Sequence, residues 1–154
     1  MKKDELFGTI IYEDLWIGKT SITMFGICEK IDLCINGEEI TSNQREAFFN
    51  FQSSMDRIMR EAEESIFEYY LSNYEDYRAM YNSDKADIMA PKISSERELS
   101  RLVKPTGLLI IYDFEDGIRR VGVLCDCTWE PEHGLGISIE NENVIEIGFQ
   151  DIIL

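Results

Sequence analysis

The stretch Thr41–Tyr70, TSNQREAFFNFQSSMDRIMREAEESIFEYY, decides the fold. Thr41 with Gln44 three residues on forms a capping box, in which each residue satisfies an orphan amide of the first helical turn, so a helix starts near Ser42. Behind it Phe48, Phe51, Met55, Ile58, Ala62, Ile66 and Tyr69 recur at spacings of three and four, while Glu46, Asp56, Arg57, Arg60, Glu61, Glu63, Glu64 and Glu68 hold the opposite side. That is one apolar stripe on an amphipathic helix. A straight helix of this extent would be about 45 Å long at 1.5 Å per residue, so a bend near Ser53-Ser54 or two consecutive helices is expected. Tyr69, Tyr70, Tyr74, Tyr77 and Tyr81 continue the spacing and carry the helical region to about residue 81.

Outward from the helix the period changes. From Phe7 to Ile35 it is two, with Gly8, Gly18 and Gly26 as punctuation, which reads as two or three antiparallel strands. In the last of these Ile27, Ile31, Leu33 and Ile35 point one way and Cys28, Lys30, Asp32 and Cys34 the other, before a sharp reversal at Asn36-Gly37. Residues 82–94 are polar, contain Pro91 and read as a loop with at most one helical turn. Ser95 and Glu98 form a second capping box, opening a short helix over about 95–103 that ends before Pro105.

From Gly107 the period of two returns. Leu108, Ile110, Tyr112 and Phe114 form one face of a strand, Asp116-Gly117 is a hairpin signal, and Val121, Val123, Cys125, Cys127 and Trp129 form a face of the next strand. Two more strands follow, near 136–140 and 143–148, joined at Asn141-Glu142. Strands, then helices, then strands predict an α+β fold over residues 1–154 as a single domain: an antiparallel sheet from both ends of the chain, with the long helix and the short one packed on it.

The chain has 154 residues, 44% of them apolar and only 3 prolines, enough for one sizeable core and against wholesale disorder. Thirty Asp and Glu face fifteen Lys and Arg, a formal charge of -15. Such a field repels phosphate backbones and anionic lipid heads, so neither nucleic acid nor a membrane surface is an expected partner. Met1-Lys-Lys-Asp-Glu-Leu6 carries no apolar run like that of a signal peptide, and no window approaches the length of a membrane span. The expected location is the cytoplasm, with Cys28, Cys34, Cys125 and Cys127 as thiols.

Reactive residue types are densest in Cys125-Asp-Cys-Thr-Trp-Glu-Pro-Glu-His-Gly-Leu-Gly136, which holds the one histidine. Cys125, Cys127 and His133, with Asp126, Glu130 and Glu132, offer metal-ligating types. The Cys-x-Cys spacing instead puts both sulfurs on the apolar side of a strand, where they read as small core residues. His133 stands beside no recognisable nucleophile and reads as a loop residue, while Gly134 and Gly136 read as turn and bulge chemistry, since no helix follows them to hold a phosphate. Paired acids such as Glu38-Glu39 and Glu115-Asp116 are too numerous to single out. The tyrosines of 69–81 suit either an interface or packing of the helix end. No catalytic or cofactor motif is present, and no cofactor is expected.

Tyr112-Asp113-Phe114 to Gly117, then Asp126-Cys-Thr-Trp129, Glu132-His133-Gly134-Leu-Gly136 and Glu146-Ile-Gly148-Phe-Gln-Asp151 resemble a family of small, acidic, uncharacterised bacterial cytoplasmic proteins, domains of unknown function. The opening strands and Gln44-Arg45-Glu46-Ala47 are similar to it as well, and the Trp-x-x-Glu-His-Gly-x-Gly order of 129–136 is its most specific part. The resemblance implies no activity, but it implies that some relatives are encoded beside polymorphic toxins, as candidate immunity proteins. Charge and resemblance together predict a non-enzymatic interaction protein, such as an immunity-type inhibitor that occludes a basic toxin or nuclease through acidic rim and aromatic anchors. The expected contact residues are Asp113, Asp116, Trp129, Glu130, Glu132 and His133. Two other readings stay open: a small metal-dependent hydrolase built on residues 126–133, with Asp126, Glu132 and His133 as its working groups, and a structural subunit without a small-molecule site. Monomer and homodimer are both compatible with the sequence.

Overall fold

A computed structural model describes residues 1–154. Eight strands lie side by side in chain order in one sheet: β1 Lys2–Asp4, β2 Gly8–Tyr12, β3 Trp16–Met24, β4 Ile27–Ile35, β5 Val103–Ile110, β6 Arg120–Cys127, β7 Leu135–Glu140 and β8 Asn143–Gly148. Every neighbouring pair is antiparallel except one. Strands β4 and β5 run parallel, with Leu33 opposite Leu108 and Ile35 opposite Ile110, which corrects the expectation of a wholly antiparallel sheet. A parallel pair needs a long crossover, and the helical third of the chain supplies it.

That crossover consists of α1 Ser42–Ser53, α2 Met55–Arg78, α3 Ser83–Met89 and a 3-10 turn at Glu96–Arg101. The capping box forms as the sequence requires: Gln44 N donates to Thr41 Oγ1 at 3.1 Å and Thr41 N donates to Gln44 Oε1 at 3.0 Å. The break falls at Ser54, so α2 is about 36 Å long and crosses the sheet from β3 to β8. Phe48, Phe51, Ile58, Ala62, Ile66 and Tyr70 press against Ile22, Ile31, Leu33, Ile35, Leu108, Ile110, Val121, Val123, Ile137 and Ile139 in one core. Cys125 and Cys127 lie in that core, the small-residue role read from their spacing, and burial pushes the Cys127 thiol up to about 12.

Other boundaries shift for local reasons. β1 was not expected. It is held because the Asp4 carboxylate accepts Leu6 N and Phe7 N and pairs with both terminal nitrogens of Arg45, which holds its carboxyl far below the usual carboxylate range. Residues 82–94 contain a full short helix where one turn was expected. Asn82 Oδ1 caps α3 at Lys85 N, and Arg78 closes its far end on the Ala86 and Ala90 carbonyls, contacts that leave no periodic signature. The short helix expected over 95–103 is the 3-10 turn alone, and β5 begins four residues before Gly107, with Pro105 beside a bulge, a place where a strand tolerates proline. At its other end β5 stops at Ile110, so Tyr112 and Phe114 leave the sheet instead of continuing its inner face.

No helix is long and apolar enough to cross a membrane.

Candidate functional site: the two ends of strand β6

Strand β6 separates the expected contact residues into two groups. Asp113 and Asp116 precede it and Trp129 to His133 follow it, about 26 Å apart for eight residues at 3.3 Å each. They are not one site.

Residues 128–134 form a pinned loop. Trp129 is 1% exposed and sits between the Tyr70 ring at 4.7 Å and the Tyr77 ring at 6.1 Å, so it supports the loop from beneath and presents no surface anchor. Tyr81 Oη donates to the Trp129 carbonyl, Thr128 Oγ1 donates to the Met89 carbonyl at 2.7 Å, and Tyr69 and Tyr77 share a hydroxyl bond at 3.0 Å. The tyrosines thus pack the helix end against the sheet. Glu130 is also buried, its side chain 9% exposed, and it meets His133 Nδ1 at 2.9 Å. That carboxylate, with Glu132 and Asp151 nearby, raises the His133 imidazole above its ordinary value. The His133 ring stacks on Phe149 at 4.8 Å, and the His133 carbonyl accepts Gln150 N, so the pair clips the C-terminal segment to the loop. Glu132 is exposed beside them.

For the hydrolase reading the decisive geometry is convergence. Glu130 and His133 meet, but no group of three or more His, Cys, Asp or Glu side chains gathers here or elsewhere as a metal site needs. Cys127 is buried and its Sγ donates to the Glu130 carbonyl, so this thiol is packed into the scaffold instead of being presented as a nucleophile.

Residues 111–119 form the opposite kind of loop. It is shaped by its own acids: Asp113 Oδ1 accepts Glu115 N at 2.8 Å, Asp116 Oδ1 accepts Ile118 N at 3.0 Å, and Glu115 and Gly117 take positive φ of 65° and 76°. Asp116 also grips Arg120 through two bonds at 3.1 and 2.6 Å, which lowers the Asp116 carboxyl, while Arg120 lies over the Phe114 ring at 5.1 Å. Arg119 is tied to Glu142 by two bonds of 2.9 Å. With both arginines occupied, the loop presents Tyr112 and Phe114, 44% and 66% exposed, beside Asp113 and Glu115. Tyr112 packs on Gly37, where an added Cβ would stand 2.5 Å from its ring, and this joins the loop to the Glu38-Glu39 turn.

Register places other acids at the same end. Glu13 and Asp14 precede β3, Glu140 closes β7, and Glu142 lies in the β7–β8 turn, so nine carboxylates, at residues 13, 14, 38, 39, 113, 115, 116, 140 and 142, gather around four cations: Arg119, Arg120, Arg57, which donates to the Glu142 carbonyl at 3.0 Å, and Lys2, over the Trp16 ring at 5.6 Å. The sheet end is a strongly anionic surface with aromatic side chains in it. Sequence reasoning placed Asp113 and Asp116 here but missed Tyr112 and Phe114 as surface groups, because alternation with Leu108 and Ile110 assigned them to the core. The closely spaced turn formers Asp113, Asp116 and Gly117 were the signal that the strand ends earlier.

Fold and site together define a class: an α+β protein with one eight-stranded sheet, helices on one face, and an acidic, aromatic loop cluster at one end. The chain belongs to the family DUF6985, a domain of unknown function, whose model matches residues 6–154. No curated protein and no solved structure matches it.

Proposed function

We propose that the protein is a non-enzymatic binding protein whose acidic sheet end captures a basic protein partner, in the manner of an immunity-type inhibitor held against a cationic toxin or nuclease in the cytoplasm. The observation that carries this reading is the loop 111–119, which turns two aromatic side chains to solvent while its acids shape it and its arginines are already paired. Exposed aromatics inside a field of one charge combine steering of an opposite charge with anchors that bury area at low entropy cost. The same field competes with a nuclease's own anionic substrate for its basic cleft. Of the residues expected in contact, Asp113 and Asp116 suit this role, and Trp129 and Glu130 serve the scaffold instead.

The test is salt-graded capture from host lysate by the immobilised chain, in parallel with the Asp113→Asn/Phe114→Ala/Glu115→Gln variant, with mass spectrometry of the eluates. Supporting behaviour is one basic protein retained at low salt, released at high salt, and absent from the variant. Equal retention by both chains, or enrichment of no basic protein, contradicts the reading.

A further inference from the structure

The face of the sheet turned away from the helices is not closed. Cys34 of β4, Leu109 of β5, Leu124 of β6 and Ser138 of β7 floor an apolar groove of about 620 Å³ there. One wall is the loop that carries Tyr112 and Phe114, and the other is the C-terminal turn Gln150–Ile153 with Leu154. That turn lies directly on the strands because glycines let it: a Cβ on Gly122 would stand 2.6 Å from Ile153, and one on Gly136 would stand 2.7 Å from the Phe149 carbonyl. The C-terminal turn therefore covers the β6–β8 side of the face and forms one wall of the groove.

We infer that this groove takes the apolar side chains of an amphipathic, Lys/Arg-rich segment of the partner, whose cations reach the acidic sheet end at the groove's mouth. The inference rests on the binding reading above and adds where the partner's apolar anchor goes. Volume and lining fit: a few hundred to a thousand Å³ with a mainly apolar lining is the range of sites that bury several side chains. Charge selects the occupant. Glu140 and Arg120 line the groove, Asp113 and Asp116 belong to the loop that walls it, and Arg120 is paired with both Asp116 and Glu140, so a cationic segment gains at this acidic mouth what an anionic one loses. A second copy of a chain with net charge -15 would bring two such ends together, and like-charge repulsion opposes it.

The probe is a synthetic peptide of Leu and Lys in helical amphipathic period, titrated at low salt against the isotopically labelled full chain, beside a Gly/Lys peptide of equal charge. Expected are shifts at the Leu109 and Leu124 methyls, binding at least about tenfold tighter for the Leu/Lys peptide, and a similar loss in Ser138→Trp, which fills the groove. Should Ser138→Trp fail to fold, Leu154→Ser trims the C-terminal wall at an exposed side chain and is expected to weaken the Leu/Lys peptide while leaving the Gly/Lys peptide unchanged. If both peptides bind alike and neither variant weakens them, the groove assignment falls while the acidic reading stands. If neither peptide binds at low salt, both fall. A concentration-dependent dimer that Ser138→Trp abolishes would assign the groove to a second copy and overturn the inference.

Discussion

At one end of β6 the chain turns Tyr112 and Phe114 toward water; at the other it turns Trp129 between two tyrosines. Both segments combine aromatics, acids, a turn glycine and a cation, and they differ in what surrounds the aromatic rings. In 128–134 the buried Glu130 engages a side chain that stacks on the C-terminal segment, and backbone carbonyls of the loop receive Tyr81 and Gln150. These contacts and the tyrosine cage around Trp129 tie the loop to the helix end and to the C-terminal segment. In 111–119 Asp113 and Asp116 bond amides two residues ahead and shape the tip, Arg119 ties its base to Glu142, and Tyr112 and Phe114, touched on one side by Gly37 and Arg120, keep the other side in water. Composition alone does not separate a scaffold loop from a presenting loop; whether another element cages its aromatic rings does.

The contrast breaks most visibly at the aromatics. Trp129→Ala removes a large side chain from a fully packed site and is expected to cost about 3–5 kcal/mol in denaturant unfolding. A loss under 1 kcal/mol would show that the loop is not the scaffold described. Gly136→Val drives a side chain into the Phe149 carbonyl and is expected to cost about 1–3 kcal/mol, with faster proteolysis of residues 150–154 as a local readout. Gln44 is buried, and its amide donates to the Asn36 carbonyl at 2.8 Å and the Ile110 carbonyl at 3.3 Å, besides closing the capping box. Gln44→Ala should cost about 1–2 kcal/mol and loosen both loops at the acidic end, seen as faster amide exchange at residues 36–37 and 111–112.

His133 sharpens the comparison through pH. Its imidazole is raised in the fold, chiefly by Glu130, so the protonated form favours folding. That contribution is complete below the ordinary histidine value of about 6.5 and is lost as pH rises through the higher folded value. Unfolding midpoints between about pH 6 and pH 8 should therefore fall for the natural chain and stay flatter for His133→Gln. Identical profiles would dissolve the clip between the loop and the C-terminal segment. Smallest of all, Phe114→Ala should change stability by less than about 0.5 kcal/mol, because its ring is solvent-exposed.

Much of this architecture is legible in residue order. The stripe from Phe48 to Tyr69, the capping box at Thr41 and the break at Ser53-Ser54 all depend on local periodicity and local bonds, which sequence displays directly. The parallel β4–β5 pairing depends on where a crossover lands, and nothing in the spacing of Ile31, Leu33 and Ile35 distinguishes a parallel neighbour from an antiparallel one. Strand β1 needs Arg45, forty-one residues away, and α3 needs Arg78 on its far carbonyls. At the candidate site the acids were visible and the exposure was not. Alternation reads Tyr112, Phe114 and Trp129 alike as inward-facing, and only the turn chemistry of 113–117 against the tyrosine cage of 70–77 divides them.

One mapping experiment decides between the two loops: backbone amide shifts of the labelled full chain, recorded as the basic protein recovered by salt-graded capture is added. Residues 111–119 and the adjoining 36–39 turn are expected to shift or broaden while 128–134 keep their positions. Perturbation centred on 128–134 with 111–119 unchanged would contradict binding at the acidic sheet end and give that role to the loop around Trp129.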